Sequence, residues 1–281
     1  MATEVELLPF LLGPPLELSR KRAKELIRFG AVSVAGRTHL RHDTRLAAGD
    51  IVTIAKGLNL RPGTPPPALK IVHLDAAIVV IDKPAGLLAM GSAREKERTA
   101  HRLLNEYLKT SVNARDQQAF IVHRLDRETS GLMIFARSEA SQSALQRGWK
   151  NVTKRYLATV EGAPPSAEGT LEDRLMENAS MMVRRVPSGG ELAVTHYRVI
   201  RRRRLRSLLE LTLATGRKHQ IRVQLAGAGC PVVGDRKYGT GVESAPRLAL
   251  HACELSLRHP VSAASLVFRS TLPLALAKLL Q

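Results

Sequence analysis

The sequence predicts an α+β protein, with a mixed, mainly antiparallel sheet domain preceded by a small α+β module. Three observations carry this. Strand-like apolar runs such as Ile78-Val79-Val80-Ile81 outnumber helix-like ones. The connections between elements are mostly short. The stretch from Gly57 to Leu69 contains Arg61-Pro62-Gly63-Thr64-Pro65-Pro66-Pro67, which excludes regular helix and central strand and reads as extended. The expected organisation is a module at residues 1–56, a linker at 57–70 and the main domain at 71–281.

In the module, Ser19 is placed to cap a helix from Arg20 to Phe29, and Gly30 to stop it. Ala23, Leu26 and Ile27 form a narrow apolar stripe on it, while Arg20, Lys21, Lys24 and Arg28 cover much of the rest. Carboxylates at i,i+4 do not balance these cations, a pattern that favours phosphate over an ordinary solvated face. Ala31 to Val34 reads as a strand, Ala35-Gly36 and Ala48-Gly49-Asp50 as turns, and Ile51 to Ile54 as a further strand.

In the main domain, Ile78 to Ile81 is a buried strand ending at the turn Asp82-Lys83-Pro84-Ala85-Gly86-Leu87. Thr99 to Leu108 reads as an amphipathic helix with Leu103, Leu104, Tyr107 and Leu108 on one side. A helix from about Ser138 to Gly148 follows. Lys154 to Gly162 is a strand with Tyr156, Ala158 and Val160 on one face and Leu157 and Thr159 on the other. His196 to Ile200 and Leu208 to Leu213 read as a hairpin joined through the arginine-rich run 201–206. Lys218 to Leu225 reads as helix, with Thr215 as its expected N-cap.

Composition narrows the function. The 281 residues carry a formal net charge of +18, which points to a polyanionic partner. Nucleic acid fits better than membrane, because no apolar run reaches the roughly 18 residues that a spanning helix needs. The start, Met1-Ala2-Thr3-Glu4-Val5-Glu6, is acidic and unlike a secretory signal. Cys230 and Cys253 stand without CxxC or Cys/His spacing, so neither zinc nor a disulfide framework is expected, and a cytoplasmic home is. Histidines are scattered, giving no metal site. Walker-type and dinucleotide-type glycine loops are missing, so no nucleotide cofactor is expected.

The segment His123-Arg124-Leu125-Asp126-Arg127-Glu128-Thr129-Ser130-Gly131-Leu132 lies between the apolar runs Phe120-Ile121-Val122 and Leu132 to Ala136. It sets one carboxylate between two arginines at a strand end, where Asp126 is kept ionised and able to attack or hold an electrophile. By itself the segment reads more readily as a polar turn with a surface ion pair. Glu128 is too close in sequence to face Asp126 across a scissile bond, as a glycosidase pair would.

Four motifs, in order, settle the reading. Asp82 to Leu87, His123 to Leu132, Lys154-Arg155-Tyr156 and Thr215-Gly216-Arg217-Lys218-His219-Gln220-Ile221-Arg222-Val223 resemble those of an RluA-type RNA pseudouridine synthase, over His73 to about Phe268. Gly234-Asp235, Tyr238-Gly239 and Leu250-His251-Ala252 also fit. Leu88-Ala89-Met90-Gly91 departs from the pattern, standing where members often carry a histidine-proline pair. Leu18 to Ala55 resembles the S-four-like (alpha-L) RNA-binding module, on Ser19-Arg20, Lys24, Ile27, Gly30 to Val34 and Gly49 to Val52.

The resemblance implies a pseudouridine-synthase-type catalytic domain that isomerises uridine within RNA, without metal or cofactor. Asp126 matches the essential aspartate, Arg222 the arginine paired with it, and Tyr156 the aromatic residue packed against the target uracil. Arg124 is expected to touch RNA or fill the space left by a flipped-out nucleotide. His123 is read as loop packing, and Lys83 either as lining the cleft or as a solvated turn lysine. Arg20, Lys21, Lys24 and Arg28 would hold structured RNA. Ribosomal RNA is favoured, with tRNA open, and a monomer is expected. A non-catalytic RNA-binding or ribosome-assembly protein is the alternative, but it predicts the loss of Asp126, Tyr156 or Arg222, and all three are present.

Overall fold

The computed structural model describes residues 5–28, 32–38, 41–54, 69–91, 95, 98–111, 118–203, 205–240 and 245–280. These divide into two compact units. One comprises Met1–Ile71 and Met90–Ala119, and the other Val72–Ala89 and Phe120–Gln281.

The first unit begins with β1 (Val5–Glu6), α1 (Leu7–Leu12) and α2 (Arg20–Arg28). The short strands β2 (Val32–Val34), β3 (Arg37–Thr38), β4 (Arg45–Leu46) and β5 (Val52–Ile54) follow. Strands β3, β2 and β5 form one antiparallel sheet, and β1 pairs with β4. The β2–β3 turn is Ala35-Gly36, both at positive φ, as a two-residue hairpin of matching twist requires. Ala23, Leu26 and Ile27 are buried with Leu7, Leu8, Leu11, Val32, Val34 and Leu46, so the apolar stripe read from the sequence is the core face of α2. Ser19 sits at its N-cap position, its carbonyl accepting from the Ala23 N–H. Arg20 and Lys24 are exposed, whereas Phe29, Gly30, most of the linker and the side chains of Lys21 and Arg28 lie outside the described residues. Helix α3 (Ala100–Ser111) starts where expected, with the Thr99 hydroxyl accepting from the Arg102 N–H at 3.1 Å, and buries Leu103, Leu104 and Leu108.

The second unit is built on one large sheet. Its strands are β6 (Lys70–Leu74), β7 (Ile78–Lys83), β8 (Phe120–Ile121), β9 (Ser130–Ala136), β10 (Thr153–Glu161), β11 (Glu168–Glu177), β12 (Val183–Val186), β13 (Glu191–Arg203), β14 (Arg206–Leu213), β15 (Leu250–Arg258) and β16 (Ser265–Arg269). The order is β12-β11-β13-β14-β10-β15-β9-β7-β6, with β16 on β15 and β8 on β9. Strand β15 pairs in parallel with β9 over two residue pairs, His251 with Ser130 and Ala252 with Gly131, whereas β10–β14, β10–β15, β11–β12, β11–β13, β13–β14, β15–β16, β7–β9 and β8–β9 are antiparallel. The fold class is the one the sequence predicts.

Every residue of β9 is buried, which explains its unbroken apolar run, while β14 alternates so that Ser207, Leu209, Leu211 and Leu213 face inward. Ile78, Val80, Leu132 and Ile134 pack with Leu145 of α4 (Glu139–Gly148) and with Leu255, Leu257 and Phe268. Ser138 caps α4, accepting from the Ser141 N–H at 3.1 Å.

Three expectations are corrected. The arginine run is not a loop: β13 continues through Arg203, and cross-strand pairing to Ser207 and Leu208 holds Arg201 and Arg202 extended. The helix after the fourth motif is α5 (Gln220–Gly227), two residues later than read. Thr215 does not cap it; its hydroxyl accepts from the Val194 N–H and donates to Gln220 Oε1, tying the preceding loop to β13. The long hairpin β11–β12 went unread, because exposed charges such as Glu168, Glu172, Arg174 and Arg184 mask its period of two. The structure ends at α6 (Leu274–Ala277) and one further turn.

Candidate active site

Asp126, Tyr156 and Arg222 come from three separate elements and line one pocket with Arg124, Arg217 and His219. Asp126 stands on the loop between β8 and β9. Tyr156 lies on β10, held in register by Leu211 of β14 and Ala252 of β15. Arg222 projects from the first turn of α5.

The Asp126 loop is held at its back by Lys83, which the sequence left undecided. Lys83 is completely buried and donates to the carbonyls of Pro84, Leu87 and Arg127 at 2.9, 2.8 and 3.2 Å. The Gly86 N–H also donates to the Arg127 carbonyl, at 2.8 Å. The first motif thus clamps the second one residue beyond Asp126. Burial drives the Lys83 ammonium down to about 7, against the pull of Glu128 and Asp126. The solvated-turn reading is excluded.

The far end of the loop is fixed by Gly131. At φ +116 it passes so close to β15 that a Cβ would stand 2.2 Å from the Ala252 carbonyl oxygen. His123 is the packing residue that was expected. It accepts from the Ile134 N–H at 3.1 Å and stacks on Trp149 with centroids 4.5 Å apart, and burial followed by the charge of Lys154 pushes it down to about 3.

The carboxylate side chain of Asp126 is 20% exposed. Its Oδ2 lies 3.4 Å from Arg222 Nη1 and 3.8 Å from His219 Nε2. The expected Asp126–Arg222 pairing is therefore present but is the looser of Arg222's two. Asp235, whose side chain is fully buried, takes Nε and Nη2 at 2.7 Å each. Burial alone would lower the Arg222 guanidinium, but the Asp235 hydrogen bonds and the two carboxylate charges raise it. Tyr156 is 9% exposed, and burial, reinforced by the Asp126 charge, raises its phenol so that it stays protonated at neutral pH. Arg124 is exposed where it lines the pocket. Asp235 and His219 were the residues not singled out; the fourth motif and Gly234-Asp235 were the signals that contained them. Among the described residues, no group of three or more His, Cys, Asp or Glu is arranged to hold a metal ion.

A carboxylate locked by an arginine beside a buried, protonated aromatic can act on the sugar of a nucleotide whose base lies against that ring. The family model described as RNA pseudouridylate synthase matches residues 77–227, and the chain belongs to that family: it is an isomerase acting on RNA.

Relatives agree along most of the chain. It is 37% identical over 268 residues to the ribosomal large subunit pseudouridine synthase D of Xanthomonas campestris, covering 88% of this chain and 79% of that protein. It is 33% identical over 277 residues to the enzyme of the same name from Vibrio cholerae, covering 92% and 84%. Among solved structures, the human RNA pseudouridylate synthase domain containing 4 superposes with a TM-score of 0.64 at 27% identity, covering 75% of this chain and 91% of that one.

Proposed function

We propose that this chain converts uridines of large-subunit ribosomal RNA to pseudouridine, with Asp126 as the catalytic carboxylate. The supporting observation is the single pocket that collects Asp126, Tyr156 and Arg222 from three elements. The RNA class follows from the names carried by the relatives.

The target uridine leaves its stack, at a cost of about a few kcal/mol, and enters the pocket. Tyr156 packs against the uracil, and Arg124 contacts the RNA at the mouth. Asp126, oriented by Arg222, acts on the ribose, either by attacking the anomeric carbon or by removing a ribose proton. The bond to nitrogen 1 breaks, the retained base rotates, and a bond to carbon 5 forms. The carbon 5 proton leaves and nitrogen 1 gains one, so composition is unchanged. A raised Tyr156 phenol suits a packing residue better than a base. Residues 1–56 supply a second RNA contact through Arg20, Lys21, Lys24 and Arg28, joined by the 57–70 linker to a catalytic domain at 71–281. The protein works as a cytoplasmic monomer. No helix in the described residues is long and apolar enough to cross a membrane.

The test is tritium release from uridine labelled at carbon 5 in large-subunit ribosomal RNA. Release by the intact protein and none by Asp126→Ala is expected. No release by the intact protein from total cellular RNA would overturn the activity. Release from tRNA alone would overturn the substrate class, and release that survives Asp126→Ala would overturn the assignment of the carboxylate.

A further inference from the structure

Besides Arg222, His219 also faces Asp126 Oδ2, and its backbone is strained. It occupies the N-cap position of α5 at φ 53 and ψ 18, the left-handed region that favours glycine. Such strain persists only where surroundings hold it. The holding group is Tyr238, whose hydroxyl lies 2.7 Å from His219 Nδ1, with the two rings edge to face and their centroids 5.5 Å apart. The same hydroxyl accepts the Val183 N–H at 3.1 Å, and the Arg222 guanidinium sits 5.2 Å above the Tyr238 ring.

These contacts have a direction. With one lone pair of the tyrosine oxygen taken by the Val183 N–H, the hydroxyl hydrogen is left for His219 Nδ1, and we assign the tautomer in which Nδ1 accepts. A neutral imidazole accepting at Nδ1 carries its hydrogen on Nε2. Nε2 is the atom 3.8 Å from Asp126 Oδ2, within reach of a hydrogen bond after a small ring rotation.

We propose that His219 is a positioning residue for Asp126: as the Nε2–H tautomer it joins Arg222 in engaging Oδ2, leaving Oδ1 as the oxygen that meets the ribose. The proposal rests on Asp126 being the catalytic carboxylate. The charged and titratable groups around His219 are Asp126, Arg222, Lys237, Lys218, Glu177 and Tyr238. Burial, helped by the cations Arg222, Lys237 and Lys218 and opposed by Asp126, lowers His219 to about 4, so the ring is neutral at physiological pH.

Two substitutions separate its nitrogens. In His219→Asn the amide occupies the Nδ1 position, keeping an acceptor for Tyr238 and removing the donor to Asp126. In His219→Gln the amide nitrogen reaches the Nε2 position and restores that donor. With large-subunit ribosomal RNA tritiated at uridine carbon 5, His219→Asn lowers kcat about ten- to hundredfold, as loss of one charge-assisted hydrogen bond does, and moves the acid limb of the pH–rate profile to higher pH. KM for the RNA stays within about twofold, and His219→Gln recovers most of kcat together with the wild-type acid limb. An Asn variant within about twofold of wild type overturns the proposal. So do equal losses in both variants with an unmoved acid limb, the signature of packing alone. A silent wild type, or release that survives Asp126→Ala, overturns instead the reading beneath it.

Discussion

Arg222 and Asp235 form a two-point pair, Nε to Oδ2 and Nη2 to Oδ1, both at 2.7 Å. The pair consumes two of the three guanidinium nitrogens and leaves Nη1 to face Asp126 at 3.4 Å. Asp235 thereby sets the plane and direction of the charge that faces the Asp126 carboxylate. It is itself held by the N–H groups of Lys237 and Tyr238 at 2.9 and 3.1 Å.

Asp235→Asn removes the closer of the two carboxylates that face the buried Arg222 charge and costs about 3 kcal/mol in urea unfolding at pH 7. Burial alone would raise the Asp235 carboxyl, but the Arg222 hydrogen bond and charge and the two backbone N–H groups outweigh it and hold the group below its ordinary value. Its stabilising contribution is therefore complete above the unfolded aspartate value of about 4 and is lost as pH falls through the lower folded value. The variant shows a shallower loss of stability in acid than wild type; an equally steep loss would count against the pairing.

Lys83 gives the opposite slope. Its folded value of about 7 lies below that of a lysine in the unfolded chain, so the unfolded state binds more protons between pH 7 and about 10.4. Stability should rise across that window, and Lys83→Met should remove the rise. The substitution also leaves the Pro84, Leu87 and Arg127 carbonyls without their shared donor. Turnover should then fall more than RNA affinity, because the loop carrying Asp126 loosens while the RNA-contacting surface is untouched. Chemical unfolding followed at several pH values, alongside steady-state kinetics, reads both effects.

Gly131→Ala combines a backbone conformation hostile to side chains with a 2.2 Å clash against the Ala252 carbonyl oxygen. β9 would have to leave β15, so a destabilisation of about 3 kcal/mol or more is expected in thermal or denaturant unfolding. Near-wild-type stability would mean that the two strands are not in this register.

The sequence made legible what is written in local pattern. The unbroken apolar runs of β7 and β9, the helices starting near Thr99 and Ser138, and the α2 stripe all follow from short-range chemistry, and Asp126 from a long contiguous motif. What it hid depends on contacts between distant segments. Arg222 pointed to Asp126 in the motif, but its stronger partner is Asp235, thirteen residues on and around a turn. Lys83 stayed undecided between the cleft and a solvated turn, because the carbonyls that hold it carry no side-chain signature. His219 drew no notice, since a left-handed backbone at a histidine leaves no trace in periodicity. The β11–β12 hairpin was masked by charge on its open face.

The two-pair contact between β15 and β9 has a consequence for how the enzyme is tuned. Asp126 and Tyr156 stand on opposite sides of that seam, which few ladder hydrogen bonds bridge. Buried polar links such as Ser130 Oγ to His251 Nδ1 at 2.9 Å cross it, and apolar side chains supply the rest, with Leu132, Ile134, Leu255 and Leu257 in one core cluster. The spacing between the carboxylate and the aromatic ring therefore depends in part on how well a core is filled. Evolution can adjust turnover here through methyl groups of Leu132, Ile134, Leu255 and Leu257, none of which lines the pocket.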